Sequence, residues 1–265
     1  MPKPPRQSLC RALHPYVPLW VKSHFSFLEG ASSPEDLVER AALYGLPALA
    51  LCDRGGIYGV VRAFERARSY AMPLIVGAEI TLRFRQTRSP LLLLARSGQG
   101  YSHLCRLLSL GHREGGKKEC IVDLEALLPM AAGLLVLCPE PALFPALRLA
   151  WSEDLYALCA RHRALGEAAA EGRLRAAAKR HGLACVAAVE VLYHRPEQQA
   201  LHDVLSCIRL GKTLTTVGRG IRSNAGHALP SPQEMRALFA DDLSSVLRSI
   251  EVAERCSFRL SELRY

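Results

Sequence analysis

VPLWVKSHFSFLEGASSPEDL, residues 17–37, holds a strand, a loop and a punctuated helix start in 21 residues. The apolar run YVPLWVKSHF (16–25) reads as a strand. Ser33 then stands as N-cap, with Pro34 at the first helical position and Asp36 at the third, and Gly45 stops the helix. PALALCD (47–53) follows as a short apolar run ending in a polar turn, the form of a buried parallel strand. Trp20 and Lys22 have i, i+2 spacing and share one strand face.

The alternation continues outward from this unit. YGVVRAFERARSYAM is helical, PLIVGAEITLRF and PLLLLARS are strands, and GYSHLCRLLSLGH and VDLEALLP are helical. AGLLVLCPE (132–140) and DLYALCARH (154–162) are strands, GEAAAEGRLRAAAKRHG is a helix, and ACVAAVEVLY (184–193) closes the series. At least six strands, apolar on both faces and interleaved with amphipathic helices, predict an α/β fold. Its parallel sheet, open or closed into a barrel, carries inserted hairpins. After residue 194 the chain reads as helices around a polar loop, KTLTTVGRGIRSNAGHAL. SPQEMRALFAD repeats the capped start with Ser231, Pro232 and Glu234. Residues 1–15 read as a loose leader, and SFRLSELRY at the end reads as a connection onward.

Composition narrows the class. The 265 residues are 49% hydrophobic, which suits a domain with a sizeable core. No apolar run approaches the length needed to span a bilayer, and the basic N-terminus lacks a secretory core, so a cytoplasmic location is expected. The nine cysteines form no CxxC pair and mostly sit in apolar segments, which predicts buried free thiols. A net charge of +9 permits DNA binding without requiring it. No phosphate-cradling glycine motif occurs.

In such folds function sits at the C-terminal ends of the strands. Those ends carry Asp53-Arg54, Glu79, Glu140 and Glu190. Converging buried carboxylates need cations, usually metals with histidine co-ligands.

The segments HFSFLEGASSPEDLVERAALYGLPALALCDRGGIYGVVRAFERAR and LIVGAEI, with GYSHLCRLLS, ALHDVLSCIRLG, SPQEMRALFAD and IEVAERCSFRLSELRY, carry a resemblance over residues 16–265. They resemble the PHP (polymerase and histidinol phosphatase) domain at the N-terminus of bacterial DNA polymerase III alpha subunits, in particular the error-prone branch. The resemblance implies a distorted TIM-like (βα)7 barrel over 16–195 and a helical extension over 196–265 leading toward a polymerase module absent from this chain. It implies a metal-ligand set as well. The first His-x-His falls on Trp20 and Lys22, and the Asp-His pair on Asp53 and Arg54. The Glu is Glu79, a later His falls near Pro90, the Cys/His position lies at or near Glu140, and the final Asp-x-His falls on Glu190 and Leu192. Every aligned histidine is replaced.

The resulting expectation is a vestigial metal site in which Lys22 and Arg54 supply the positive charge once carried by metals and neutralise Asp53, Glu79 and Glu190, with Trp20 filling the vacated volume. His24 is the one substitute ligand in reach. His103, His194 and His202 read as solvent-facing or capping residues. Three functions follow: a scaffolding domain without a cofactor, partnered with the remainder of a replication and translesion polymerase or its accessory proteins; a phosphoesterase or 3′–5′ proofreading exonuclease using zinc, manganese or magnesium on Asp53, Glu79 and Glu190; or a free-standing DNA- or polymerase-binding adaptor.

Overall fold

The computed structural model describes residues 15–115 and 119–263. The leader expected at 1–15, apart from Pro15, and Cys10 lie outside the described residues.

The N-cap reading of residue 33 holds in detail. Ser33 Oγ accepts from the Asp36 N–H and the Asp36 carboxylate accepts from the Ser33 N–H, opening α1 (Pro34–Leu43). Then come β1 (Leu49–Arg54), α2 (Val60–Ser69), β2 (Leu74–Phe84), β3 (Thr87–Ala95) and α3 (Gly98–Gly115). They are followed by β4 (Ile121–Asp123), α4 (Leu124–Leu127), β5 (Leu134–Cys138), α5 (Phe144–Leu147), β6 (Leu155–Ala160), α6 (Glu167–Arg180) and β7 (Cys185–Ala188). The last helices are α7 (Gln199–Leu210), α8 (Pro232–Leu238), which has the same capping box at Ser231 and Glu234, and α9 (Leu243–Arg255).

The strands run in the order β1-β2-β3-β5-β6-β7, with β4 beside the far half of β2. β1–β2, β5–β6 and β6–β7 are parallel, while β3 is antiparallel to both neighbours, the inserted hairpin of the sequence pattern. The two edges of this curled sheet meet at one residue. Val21 bridges Leu51 of β1 and Val191 just beyond β7. The architecture is the distorted TIM-like (βα)7 barrel of the α/β class.

Residues 16–25, expected as a strand, are shorter in regular pairing than the sequence suggested. Pro18 has no N–H to give, and the chain turns away after Lys22. The segment is held by Val21 and by the Lys22 N–H to Val191 O and Cys52 N–H to Val21 O bonds, at 2.9 and 2.7 Å. The 184–193 strand likewise stops at Ala188 and continues only as bridges at Val191 and Tyr193.

Parity divides the core. Leu49, Leu51, Leu91, Leu93, Val136 and Cys159 pack outward among Leu37, Ala63, Leu107 and Leu174 of the covering helices. Ala50, Cys52, Leu92, Leu94, Leu137 and Leu158 form the inner cluster with Trp20. Both faces are apolar because both are covered. α9 and the Cys256 that caps it add Val252 and Cys256 to the inner cluster, and the helix's Arg255 and Arg248 bond Asp154 and the Cys185 carbonyl, where β6 and β7 begin. That seals one end of the barrel and leaves the C-terminal strand ends free for a site. The eight described cysteines are free thiols, six buried and two half-buried.

Candidate functional site

Four backbone positions converge at the open end. Trp20 and Lys22 project from the first extended segment, Glu79 from β2, where it lies opposite Arg54 in register, and Glu190 from the turn after β7. The Lys22 ammonium sits 2.8 Å from Glu79, 2.8 Å from Glu190 and 3.4 Å from Glu29. It is only 2% exposed. Trp20 Nε1 donates to Glu79 at 2.7 Å and the Trp20 ring centroid lies 5.5 Å from the ammonium. Beyond this centre, Arg54 and Arg209 bond Glu29, the latter at 3.1 Å, and Arg222 bonds Glu190 at 3.2 Å.

Burial alone would lower the pKa of Lys22, but the fields of Glu190, Glu79 and Glu29 outweigh it and hold the amine charged, above its ordinary value. Glu190 is pushed down to about 2: burial opposes its charge, and Lys22, Arg222 and His227 overcome that. Glu79 moves the other way. Its burial and the neighbouring Glu190 raise it despite Lys22 and Trp20.

Asp53 stands apart from this network. Its carboxylate accepts the Ser23 N–H at 2.6 Å, Ser23 Oγ at 2.8 Å and Ser26 Oγ at 2.7 Å. Burial raises its pKa and these hydrogen bonds limit the rise. The expectation that Arg54 would neutralise Asp53 is corrected: the guanidinium reaches Glu29. Consecutive strand residues leave on opposite faces, so Arg54 shares the parity of Cys52 and Glu79, and Asp53 that of Leu51.

Of the remaining expected positions, Glu140 lies outside the pocket above Lys22, while Leu192 and Pro90 line it. The Glu140 carboxylate accepts the Ala142 N–H at 3.1 Å, capping the turn after β5. Leu192 and Pro90 line the pocket, about 260 Å³, above Lys22, together with His202 and Arg88. His24 is exposed because the chain turns at Ser23. His194 and His202 are buried, contrary to the solvent-facing expectation. His194 Nδ1 meets Ser32 Oγ at 2.7 Å, and His202 packs against Tyr193 with ring centroids 5.7 Å apart.

Sequence reading missed Glu29, Ser23, Ser26, Arg209 and Arg222, and with them His162 and His227. Ligand atoms of His162, Glu190 and His227 lie within 4.8 Å of one another, a grouping that could hold a metal ion. Both His162 nitrogens are engaged, Nε2 by the Glu190 N–H at 2.9 Å and Nδ1 by Glu167 at 3.0 Å. His227 Nδ1 donates to the Glu190 carbonyl at 2.9 Å. The two rings stack 4.2 Å apart. Burial lowers both, His227 to about 3, which keeps them neutral.

Comparison with known proteins identifies the family. The PHP domain family matches residues 19–179. The chain is 38% identical over 262 residues to the error-prone DNA polymerase of Anaeromyxobacter dehalogenans strain 2CP-C, and 35% over 258 residues to error-prone DNA polymerase 2 of Rhizobium meliloti strain 1021. Each alignment covers 94% of this chain and 23% of the relative, so the chain spans about a quarter of their length. Among solved structures, an amidohydrolase from Chromobacterium violaceum with bound sulfate and no metal aligns at TM-score 0.47 and 14% identity, over 65% of this chain and 86% of that one.

Proposed function

The chain belongs to the PHP domain family and is homologous to error-prone DNA polymerases, and from that premise we propose that it is the non-catalytic PHP domain of a polymerase III alpha-type translesion enzyme. In this reading residues 16–195 form the barrel and 196–265 the extension toward the polymerase. The domain works in the cytoplasm, stabilising and positioning the rest of that polymerase. Among the described residues no helix is long and apolar enough to cross a membrane, which agrees with such a partner.

The observation that carries the proposal is the ammonium of Lys22, 2.8 Å from each of two buried carboxylates. A divalent ion placed between Glu79 and Glu190 would meet this fixed cation at close range, and Trp20 offers no lone pair for coordination. The residues present therefore do not fit a metal there, and no catalytic step is assigned to it. Lys22 takes the metal's electrostatic part at Glu79 and Glu190, Arg54 takes a lesser part at Glu29, and serine hydroxyls serve Asp53. Elemental analysis of the purified protein tests this, with thermal melts before and after a strong chelator. The expected result is no stoichiometric metal and an unchanged melting temperature; tightly bound zinc or manganese at one ion per chain would refute it.

The His162–Glu190–His227 grouping supports a second reading, a metal-dependent phosphoesterase or 3′–5′ exonuclease with its centre moved to one side of the ancestral one. Coordination would require His162 to give up a hydrogen bond on at least one nitrogen. Release of phosphate or terminal nucleotides upon addition of zinc, manganese or magnesium would favour this reading over the first.

A further inference from the structure

We infer that the hollow between the barrel and the helical extension is a binding site for a small carboxylate with an apolar body, anchored on Arg163. This goes beyond the reading of the Lys22 centre and does not depend on it.

The hollow has a volume of about 330 Å³, at the small end of the roughly 300–1,000 Å³ range of ligand pockets. Its walls come from separate parts of the chain. They are Tyr44 at the end of α1, residues 161–163 after β6, Val189 after β7, part of the 224–230 loop, and Glu234 and Leu238 of α8. Val189 and Leu229 are buried, and with Pro230 and Leu238 they give the hollow an apolar lining.

The charged groups and the histidine of that lining are engaged, with one exception. Arg161 bonds Glu171 and Asp241 through Nε, Nη1 and Nη2. The His162 ring nitrogens meet Glu167 and the Glu190 N–H. Glu234 accepts the Ser231 N–H at 2.7 Å in the capping box of α8. Among the described residues the Arg163 guanidinium has no hydrogen bond or ion pair, and so has all five N–H donors to offer.

The Arg163 backbone is pinned in a conformation that a side chain disfavours. Its φ is +57°, the left-handed region, costly for a residue with a Cβ. Glu167 holds the N–H groups on either side, His162 at 2.7 Å and Ala164 at 3.3 Å, and Asn224 Nδ2 donates to the Arg163 carbonyl at 3.2 Å. A Cβ on Gly226 would come 2.5 Å from the His162 carbonyl oxygen, so the 224–226 turn lies directly against this loop. Glycine would occupy position 163 without strain, and none of these backbone bonds needs an arginine. What the position carries is therefore the side chain, a planar cation beside an apolar wall. A guanidinium pairs with a carboxylate through two parallel N–H···O bonds, and an apolar body on the same molecule covers Val189, Leu229 and Leu238.

The test titrates phenylacetate into the nitrogen-15-labelled full chain, in chelator, and follows the Gly226 amide and the Asn224 side-chain amide by NMR. Saturable shifts at both are expected, with a dissociation constant on the order of 1 mM. Phenylacetamide, the neutral isostere, should bind roughly 5- to 20-fold more weakly, and so should phenylacetate to Arg163→Gly. Arg163→Gly should melt no lower than the parent, because glycine relieves the left-handed strain, so its lost binding is not lost folding. Ala225→Trp, which fills the hollow, should abolish the shifts. Arg180→Ala, an exposed residue at the end of α6, should change nothing. Absence of saturable shifts, equal affinity for phenylacetamide, or full binding by Arg163→Gly or Ala225→Trp would each overturn the inference. A lower melting temperature for Arg163→Gly would show that the arginine serves the fold and would overturn it as well.

Discussion

Replacing Lys22 with alanine removes the one cation that, among the described residues, reaches both Glu79 and Glu190. Each residue of this triad is at least 88% shielded from solvent at the side chain. Glu190 keeps Arg222 and Glu29 keeps Arg54 and Arg209, but among the described residues Glu79 keeps only the Trp20 N–H. Breaking a buried ion pair by deleting one partner costs about 3–5 kcal/mol. For a domain of this size that corresponds to a drop of about 6–20 °C in melting temperature.

The pH dependence carries a second signature. Lys22 has a raised folded pKa, so its contribution is complete below the unfolded value of about 10.4 and is lost as pH rises through the higher folded value. Glu190 has a depressed one, so its contribution is present above about 4.3 and is lost as pH falls through about 2. Raised Glu79 acts oppositely, costing stability as pH rises through its shifted range. Lys22→Ala should therefore lose most at neutral pH and recover partly on mild acidification, as Glu79 takes up a proton. Adding Glu79→Gln to Lys22→Ala should restore part of the loss, a coupling readable in a double-mutant cycle of urea melts. A Lys22→Ala protein within about 1 kcal/mol of the parent at pH 7, or one whose deficit is the same at every pH, would show that the cation is not what holds these carboxylates.

Substitutions at three further positions separate the neighbouring roles. Arg54→Ala should cost less than about 1 kcal/mol in urea unfolding, because a half-exposed guanidinium is screened and its partner Glu29 retains Lys22 and Arg209. Asp53→Ala strands the buried Ser23 N–H and should cost about 1–3 kcal/mol, whereas Asp53→Asn keeps an acceptor oxygen and should cost less. Equal effects in thermal melts would contradict the serine cage. Gly30→Ala places a Cβ 2.0 Å from the Ser23 carbonyl oxygen, backbone that cannot swing aside, and should lower stability by about 3 kcal/mol or more; a neutral result would mean that the 23–31 loop is not packed as described.

Local physics made much of the fold legible in the sequence. Capping boxes at Ser33 and Ser231 depend on residues three apart, and the strand–helix alternation depends on periodicity, so both can be read without the third dimension. The i, i+2 spacing of Trp20 and Lys22 likewise placed both on the face that meets Glu79. Tertiary structure alone decided who pairs with whom. Lys22 and Glu190 are 168 residues apart, and Arg209 and Glu29 are 180, so no window of sequence joins them. The assignment of Arg54 to Asp53 failed on pleat parity, since adjacency in sequence puts two strand residues on opposite faces. Residues 16–25 looked like a strand by composition. Whether an apolar stretch becomes one depends on which partners its N–H groups find, and here Pro18 and the turn at Ser23 confine the bridge between the two edges of the sheet to Val21 and the backbone bonds of its neighbours Trp20 and Lys22.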